Sequence, residues 1–202
     1  MFDILKEAIT LSATYDSLEH KSEHASCQEG TCQDILSWLT AWSTKNDHHP
    51  VCWLEGPGGS GKSTILNAIA KQCDDEKQLA FSFFFSSGKA DHSDAAKVIP
   101  TFAYQLAQSL PAIQQPLLHV LTEDNPFAPY LHLHDQMENL ILKPTLAIQQ
   151  TVSSMVVIID GLDECNYSDD ENLLQELIQE LVDVTNHLPF RFLFASRPES
   201  HI

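Results

Sequence analysis

Four of the seven glycines in this chain fall between residues 56 and 61, directly before a lysine and two hydroxyl side chains. The segment matches the pattern G-x-x-x-x-G-K-[ST] and reads Gly56-Pro57-Gly58-Gly59-Ser60-Gly61-Lys62-Ser63-Thr64. Glycines allow consecutive backbone N–H groups to converge on one anion. Lys62 adds a positive charge for the outer phosphates, and the Ser63 hydroxyl suits Mg²⁺. The spacing therefore predicts a loop that binds the phosphates of a magnesium nucleotide, with ATP and GTP both open.

The second candidate site is a cluster of acidic residues that follows an unbroken apolar run, Val156–Ile159. Such a run is typical of a strand buried on both faces of a parallel sheet, and Asp160 stands at its carboxyl end. Asp160 is predicted to hold Mg²⁺ together with Ser63, and the small Gly161 leaves room for phosphate. Asp163 and Glu164 are candidates to polarise an attacking water molecule.

The chain has only two arginines, and they flank a third apolar run, Phe192–Ser196. Arg197 at the carboxyl end of this run is predicted to face the same crevice. Its guanidinium could bind a γ-phosphate and offset the charge that develops during hydrolysis. Arg191 precedes the run and is interpreted as structural.

These residues need a scaffold of strands that end at one edge of a sheet. Strands are predicted at 51–54, 79–85, 156–160 and 192–196 from their β-prone apolar composition. Helices are predicted from apolar spacing at 65–70, 99–110, 113–121, 137–141 and 173–182, the last opened by a capping box at Ser168 and Glu171. The segment with His132 and His134 is interpreted as a loop. The alternation of strands and helices predicts a parallel α/β sheet.

Composition excludes several classes of function. Eleven Lys and Arg residues stand against 28 Asp and Glu residues, a net charge of −17, which disfavours nucleic acid and anionic membranes as partners. No apolar run approaches the roughly 20 residues of a membrane span, and the N-terminus does not resemble a secretory signal. Five scattered cysteines do not form a disulfide pattern. The chain is expected to be soluble and cytoplasmic.

The motifs in their order resemble the NACHT domain, a branch of the STAND class of signalling P-loop NTPases. They read GPGGSGKST, FSFFFS, PTFAYQLAQSLP, VVIIDGLDEC and FLFASRPESHI. The likeness is strongest to the NACHT modules of fungal NOD-like receptors, which act in non-self recognition and regulated cell death. It implies a three-layer P-loop NTPase fold with a mainly parallel sheet, in which the Arg197 strand lies between the strands at 51–54 and 156–160. It also implies that Thr31 helps to hold the base.

The sequence departs from the NACHT pattern in two places. The segment that usually reads Gly-Thr-Arg is Gly30-Thr31-Cys32 here, so an arginine contact is lost. The chain ends at Ile202, whereas NACHT proteins continue into a fifth strand and a winged-helix region. Residues 1–29 are therefore expected to form a helical and loop lead-in. Residues 30–202 are expected to form a P-loop NTPase core truncated after its fourth strand, prone to self-association or to docking on related NACHT proteins.

Three functions compete on the sequence alone. The leading one is a nucleotide-dependent switch that binds Mg-ATP or Mg-GTP, hydrolyses it slowly and signals by its state. A second is a non-hydrolysing nucleotide-binding decoy or docking fragment. A third is a small P-loop kinase, which two arginines in the whole chain disfavour because such enzymes need a basic acceptor or lid region.

Overall fold

The computed structural model describes residues 2–17, 32–44, 49–148, 152–165 and 172–198. Its centre is a four-stranded, all-parallel sheet in the order β1-β4-β3-β2. The strands are β1 Val51–Glu55, β2 Leu79–Phe84, β3 Met155–Asp160 and β4 Phe190–Ser196. The predicted placement of the Arg197 strand between the other two is confirmed.

The eight α-helices of the described residues lie in the connections and on both faces of the sheet. They are α1 Phe2–Leu5, α2 Gln33–Thr44, α3 Lys62–Asp75, α4 Val98–Ser109, α5 Gln114–His119, α6 Leu133–Gln136, α7 Lys143–Leu146 and α8 Leu173–Asp183. Two π-helical stretches, Val120–Asp124 and Met137–Leu142, extend α5 and α6. Parallel strands need such crossovers, because each strand must return to the starting edge of the sheet.

Two apolar cores, one on each face, make the molecule three-layered, as predicted. On one face α2 and α3 pack against the sheet through residues that include Leu39, Leu66 and Leu193. On the other face the remaining helices cover a larger core rich in phenylalanine. Every residue of β2, β3 and β4 is buried, which explains their continuous apolar sequences.

One local sequence interpretation turns out differently. His134 lies in α6, with His132 at its N-cap, so the loop interpretation of this segment was wrong. Leu133 and Met137 are buried at helical spacing, and this burial outweighs the turn signal of the preceding Pro129. The capping box at Ser168 and Glu171 lies outside the described residues, and α8 begins at Leu173.

The two edges of the sheet differ. At β2 the side-chain amide of Gln105 accepts a hydrogen bond from Ser82 N–H at 2.9 Å and donates one to Ser82 C=O at 3.0 Å. These bonds imitate a neighbouring strand and block further pairing there. At β1, the outer edge pairs with no strand of the described residues.

Within the described ranges, no helix has the length and apolar character that crossing a bilayer requires.

Candidate functional site

The phosphate-type loop connects β1 to α3, the longest helix of the described residues. Gly59 and Gly61 have φ angles of +76° and +90°, which L side chains rarely adopt. Gly61 is the N-cap of α3, and its carbonyl accepts the Ile65 N–H at 3.0 Å. The helix therefore directs its positive N-terminal end at the loop, as an anion-binding site requires.

Lys62 lies folded over this loop. Its Nζ donates hydrogen bonds to the carbonyls of Gly56 at 2.6 Å and Pro57 at 3.1 Å. These two bonds hold the ammonium group above the first turn of the loop, where a phosphate oxygen would replace a carbonyl as its partner.

Asp160 ends β3 and is only 5 % exposed. Burial raises the pKa of its carboxyl to about 6, although a hydrogen bond with the Ser63 side chain and the positive charge of Lys62 oppose that rise. A buried carboxylate beside a hydroxyl is a set of hard oxygen ligands, and a divalent cation would offset the unfavourable burial of its charge. The donor set thus fits Mg²⁺.

Gly161 turns the chain sharply after Asp160. Its φ is +72°, and a Cβ on it would lie 3.1 Å from the Phe85 carbonyl oxygen. Only glycine satisfies both constraints without strain. The turn leads into a short 3-10 helix, Leu162–Glu164, which carries the other two acidic candidates.

The two acidic candidates have different partners. Asp163 accepts the backbone N–H of Arg197 at 2.9 Å and pairs with its Nε at 3.1 Å, and its side chain is 7 % exposed. Glu164 accepts the Ser87 N–H at 3.0 Å, is 34 % exposed, and lies 3.9 Å from the nearest Arg197 nitrogen.

Arg197 directly follows β4 and reaches the phosphate-type loop. A Cβ placed on Gly58 would lie 3.6 Å from the guanidinium carbon of Arg197. The arginine therefore bridges the loop and the acidic turn. Arg191, by contrast, lies within β4, is buried, stacks on Trp42 at 4.7 Å and donates to the His49 carbonyl at 2.9 Å. These contacts agree with the interpretation of Arg191 as a structural residue.

These side chains surround one pocket of about 200 Å³. From the predicted set, the lining residues are Gly58, Gly59, Lys62, Ser63, Asp160, Gly161, Asp163, Glu164 and Arg197. Gly56, Pro57, Ser60, Gly61 and Thr64 belong to the loop and the first turn of α3 but do not line the pocket. Thr31 lies outside the described residues. A wider surface hollow of about 740 Å³ lies beside Tyr15 and Tyr104 and contains none of the predicted site residues.

The segment after β2 supplies pocket residues that the sequence analysis missed, namely Phe85, Ser86, Lys89 and His92. The sequence signal that could have found them was their position directly after a predicted strand. In a parallel sheet every strand ends at the same edge, so the residues after β2 had to lie near those after β3.

Most of the chain matches a known protein family. The sequence model of the family described as "Nephrocystin 3, N-terminal" matches residues 30–197. No curated protein matches the chain. Among solved structures, C. elegans PCH-2 is similar at 14 % identity with a TM-score of 0.39. The match covers 84 % of this chain and 38 % of that chain, so the present chain spans less than half of it. Because the family match covers most of the chain, the protein belongs to the nephrocystin 3 N-terminal family.

Proposed function

We propose that this chain is a nucleotide-binding switch module that binds Mg-ATP or Mg-GTP and hydrolyses it slowly. One observation carries the proposal: residues from three strand ends, Lys62 with Ser63, Asp160 and Arg197, line a single pocket at the carboxyl edge of a parallel sheet. Equilibrium binding of ATP and GTP to the nucleotide-free chain tests it.

Each residue has a distinct role in binding. The backbone N–H groups of the loop and the α3 N-terminus hold the inner phosphates. Lys62 exchanges its loop carbonyls for oxygens of the β- and γ-phosphates. Ser63 and Asp160 would hold Mg²⁺, which would neutralise part of the phosphate charge. Arg197 is placed to contact the terminal phosphate across Gly58.

Hydrolysis needs a water molecule whose oxygen attacks the γ-phosphorus while the bond to the bridging oxygen breaks. The acceptor of the water proton is best assigned to Glu164 rather than Asp163. Both carboxylate oxygens of Asp163 already have Arg197 as a partner, one through the backbone N–H at 2.9 Å and the other through Nε at 3.1 Å, which leaves them less accessible to a water molecule. Asp163 is better suited to holding Arg197 in place.

Single substitutions separate the two acids. Glu164→Gln is expected to retain nucleotide binding within about threefold and to lower the hydrolysis rate about 100-fold, as for loss of a general base. Asp163→Asn is expected to weaken triphosphate binding, because Arg197 loses its partner. Phosphate release and equilibrium binding measured on both variants check this. Full hydrolysis by the Glu164→Gln variant would show that the base is another group.

Phosphate release measured beside nucleotide binding also decides between the hydrolysing switch and a non-hydrolysing docking module. A non-hydrolysing docking module would bind nucleotide with the same dependence on Lys62. It would release no phosphate even in the wild type, in which Asp163 and Glu164 are both intact. The contacts that Asp163 and Glu164 make with Arg197 favour the hydrolysing switch, because they arrange two acids and a cation around the position of a terminal phosphate.

The resemblance of the motif order to the NACHT domain supports a signalling role, and we propose that the nucleotide state controls association with copies of this chain or with related NACHT proteins. The outer edge of β1 supports this part of the proposal, because no strand of the described residues pairs with it. Trp53 on the same strand is 39 % exposed. An open strand edge with an exposed aromatic side chain is suited to pairing with a second strand.

If copies of this chain associate through this edge, we expect their association to increase with salt concentration. The net charge of −17 makes two copies repel each other at low ionic strength. Added salt screens that repulsion, so the sedimentation coefficient should rise with both salt and protein concentration. A protein that sediments as a monomer at all salt and protein concentrations would contradict self-association.

A further inference from the structure

One wall of the pocket is the loop that follows β2, residues Ser86–Ser93. Ser86, Lys89 and His92 line the pocket, and the loop is closed by hydrogen bonds from Ser86 N–H to the His92 carbonyl at 3.2 Å and from Lys89 N–H to the Ser86 carbonyl at 3.1 Å. This wall loop also meets the acidic turn, since Ser87 N–H donates to Glu164. Its position therefore sets the shape of the pocket opposite the phosphate-type loop.

The outer side of the wall loop rests on the N-terminal segment, residues 5–17. The Ser12 hydroxyl and His92 Nε2 are hydrogen-bonded at 2.6 Å, and the Thr10 hydroxyl donates to the Asp91 carbonyl at 3.2 Å. His92 is 6 % exposed, so it is enclosed between the pocket and the N-terminal segment. The His92 side chain thus joins the N-terminal segment to the wall of the pocket.

The N-terminal segment is held to the body of the domain by contacts that do not involve the wall loop. Leu5 and Ala13 are fully buried in the larger core. Thr10 N–H donates to the Thr101 hydroxyl at 3.0 Å, and Tyr15 N–H donates to the Ser82 hydroxyl at 3.1 Å. The segment is therefore a fixed support on which the wall loop can be positioned.

We propose that the N-terminal segment is a working part of the nucleotide site, which holds the wall loop through the Ser12–His92 contact so that Lys89 meets the terminal phosphate of a nucleoside triphosphate. This inference rests on the proposed function, and Ser12 and His92 act in it as positioning residues. The segment precedes residue 30, where the family match begins. Three basic side chains, Lys62, Lys89 and Arg197, line this one pocket of a chain that has 11 Lys and Arg in total. Three acidic side chains, Asp160, Asp163 and Glu164, line the same pocket, so Lys89 would give the terminal phosphate of a triphosphate a cationic partner that a diphosphate could not use.

The first test compares Ser12→Ala with the matched control Thr14→Val. Thr14 lies on the same segment, but its hydroxyl bonds to the Leu11 carbonyl and the Asp16 carboxylate, both within that segment. Ser12→Ala is expected to raise the Kd for Mg-ATP about three- to tenfold, the effect of one hydrogen bond, with a smaller effect on Mg-ADP. Thr14→Val is expected to leave both values unchanged. Equal Kd values for Ser12→Ala and the wild type would overturn the inference.

A double-substitution cycle tests whether the effect passes through Lys89. If Ser12 acts by positioning Lys89, then Lys89→Met and Ser12→Ala should be non-additive, with the double variant close to Lys89→Met alone. Fully additive changes in Kd would overturn the positioning role. His92→Gln, which keeps a hydrogen-bonding nitrogen, should bind Mg-ATP better than His92→Leu, and equal binding would count against the contact.

Failure of this inference is distinguishable from failure of the proposed function. If the wild-type chain binds no nucleotide, both are wrong. If the wild type binds nucleotide and Lys62→Ala binds it much more weakly, yet Ser12→Ala and Lys89→Met bind as the wild type does, only the inference is wrong. Thermal melting of every variant reports whether a change in Kd reflects loss of folded protein.

Discussion

Replacing Lys62 with alanine should weaken binding of Mg-ATP or Mg-GTP about 10- to 150-fold while leaving the fold intact. The expected size is that of one charge-assisted contact, about 1.5–3 kcal/mol. The fold should survive because Lys62 is partly exposed and, among the described residues, its side chain donates to two carbonyls of its own loop, those of Gly56 and Pro57. Calorimetric titration with each nucleotide measures the change.

Lys71→Ala is the matched control for this substitution. Lys71 lies on the same helix, α3, is exposed, and does not line the pocket. The control removes one positive charge from the same helix, so it accounts for a general change in the field of the protein. Equal loss of affinity in the two variants would mean that Lys62 acts only through net charge, and wild-type affinity in Lys62→Ala would refute the phosphate-loop assignment.

Replacing Asp160 with asparagine should affect function and stability in opposite directions. Asparagine keeps the shape but not the charge, so magnesium-dependent nucleotide binding should fall about 100-fold or more, as expected for loss of a charged metal ligand. Without Mg²⁺ the substitution should stabilise the protein at pH 7 to 8. A tenfold change in an ionisation constant corresponds to about 1.4 kcal/mol, so the raised pKa of Asp160 lowers the free energy of unfolding by up to about 3 kcal/mol.

The pH dependence identifies the cause of that stabilisation. In the folded protein the pKa of Asp160 is raised from 3.8 to about 6, so the folded state binds more protons than the unfolded state between these values. Wild-type stability should therefore fall as pH rises from about 4 to about 7, and this contribution should be absent from the Asp160→Asn variant. Thermal melts in EDTA at several pH values measure the difference. A gap between the two proteins that does not change with pH would show that Asp160 is not an energetically unfavourable buried charge.

Most of the fold follows from local sequence patterns. The apolar runs at 156–160 and 192–196 are typical of buried strands, and both are strands in the structure. The glycine motif at 56–61, with an apolar run before it and helical spacing after it, predicts a strand, a loop and a helix in that order, as observed. The strand order came from the family resemblance, because apolar patterns do not reveal which strands are neighbours. For the candidate site, Lys62, Ser63, Asp160 and Arg197 were predicted as one group and line one pocket.

The parts that were missed depend on contacts between segments far apart in sequence. Lys89 and His92 carry no motif, and they reach the pocket because β2 and β3 are paired so that Phe84 lies opposite Asp160. Ser12 and His92 are 80 residues apart and meet because Leu5 and Ala13 are buried in the larger core. The different partners of Asp163 and Glu164 depend on the path of the chain after β4, which no local pattern describes.

The account rests on one claim, that this pocket binds a magnesium nucleotide. Equilibrium dialysis of the nucleotide-free wild-type chain against labelled ATP and GTP, with Mg²⁺ and with EDTA, tests it most directly. The account predicts saturable binding of at least one nucleotide at about one molecule per chain, weakened in EDTA because Ser63 and Asp160 then lack the cation that links them to the phosphates. Folded protein that retains neither ATP nor GTP in the presence of Mg²⁺ would contradict it.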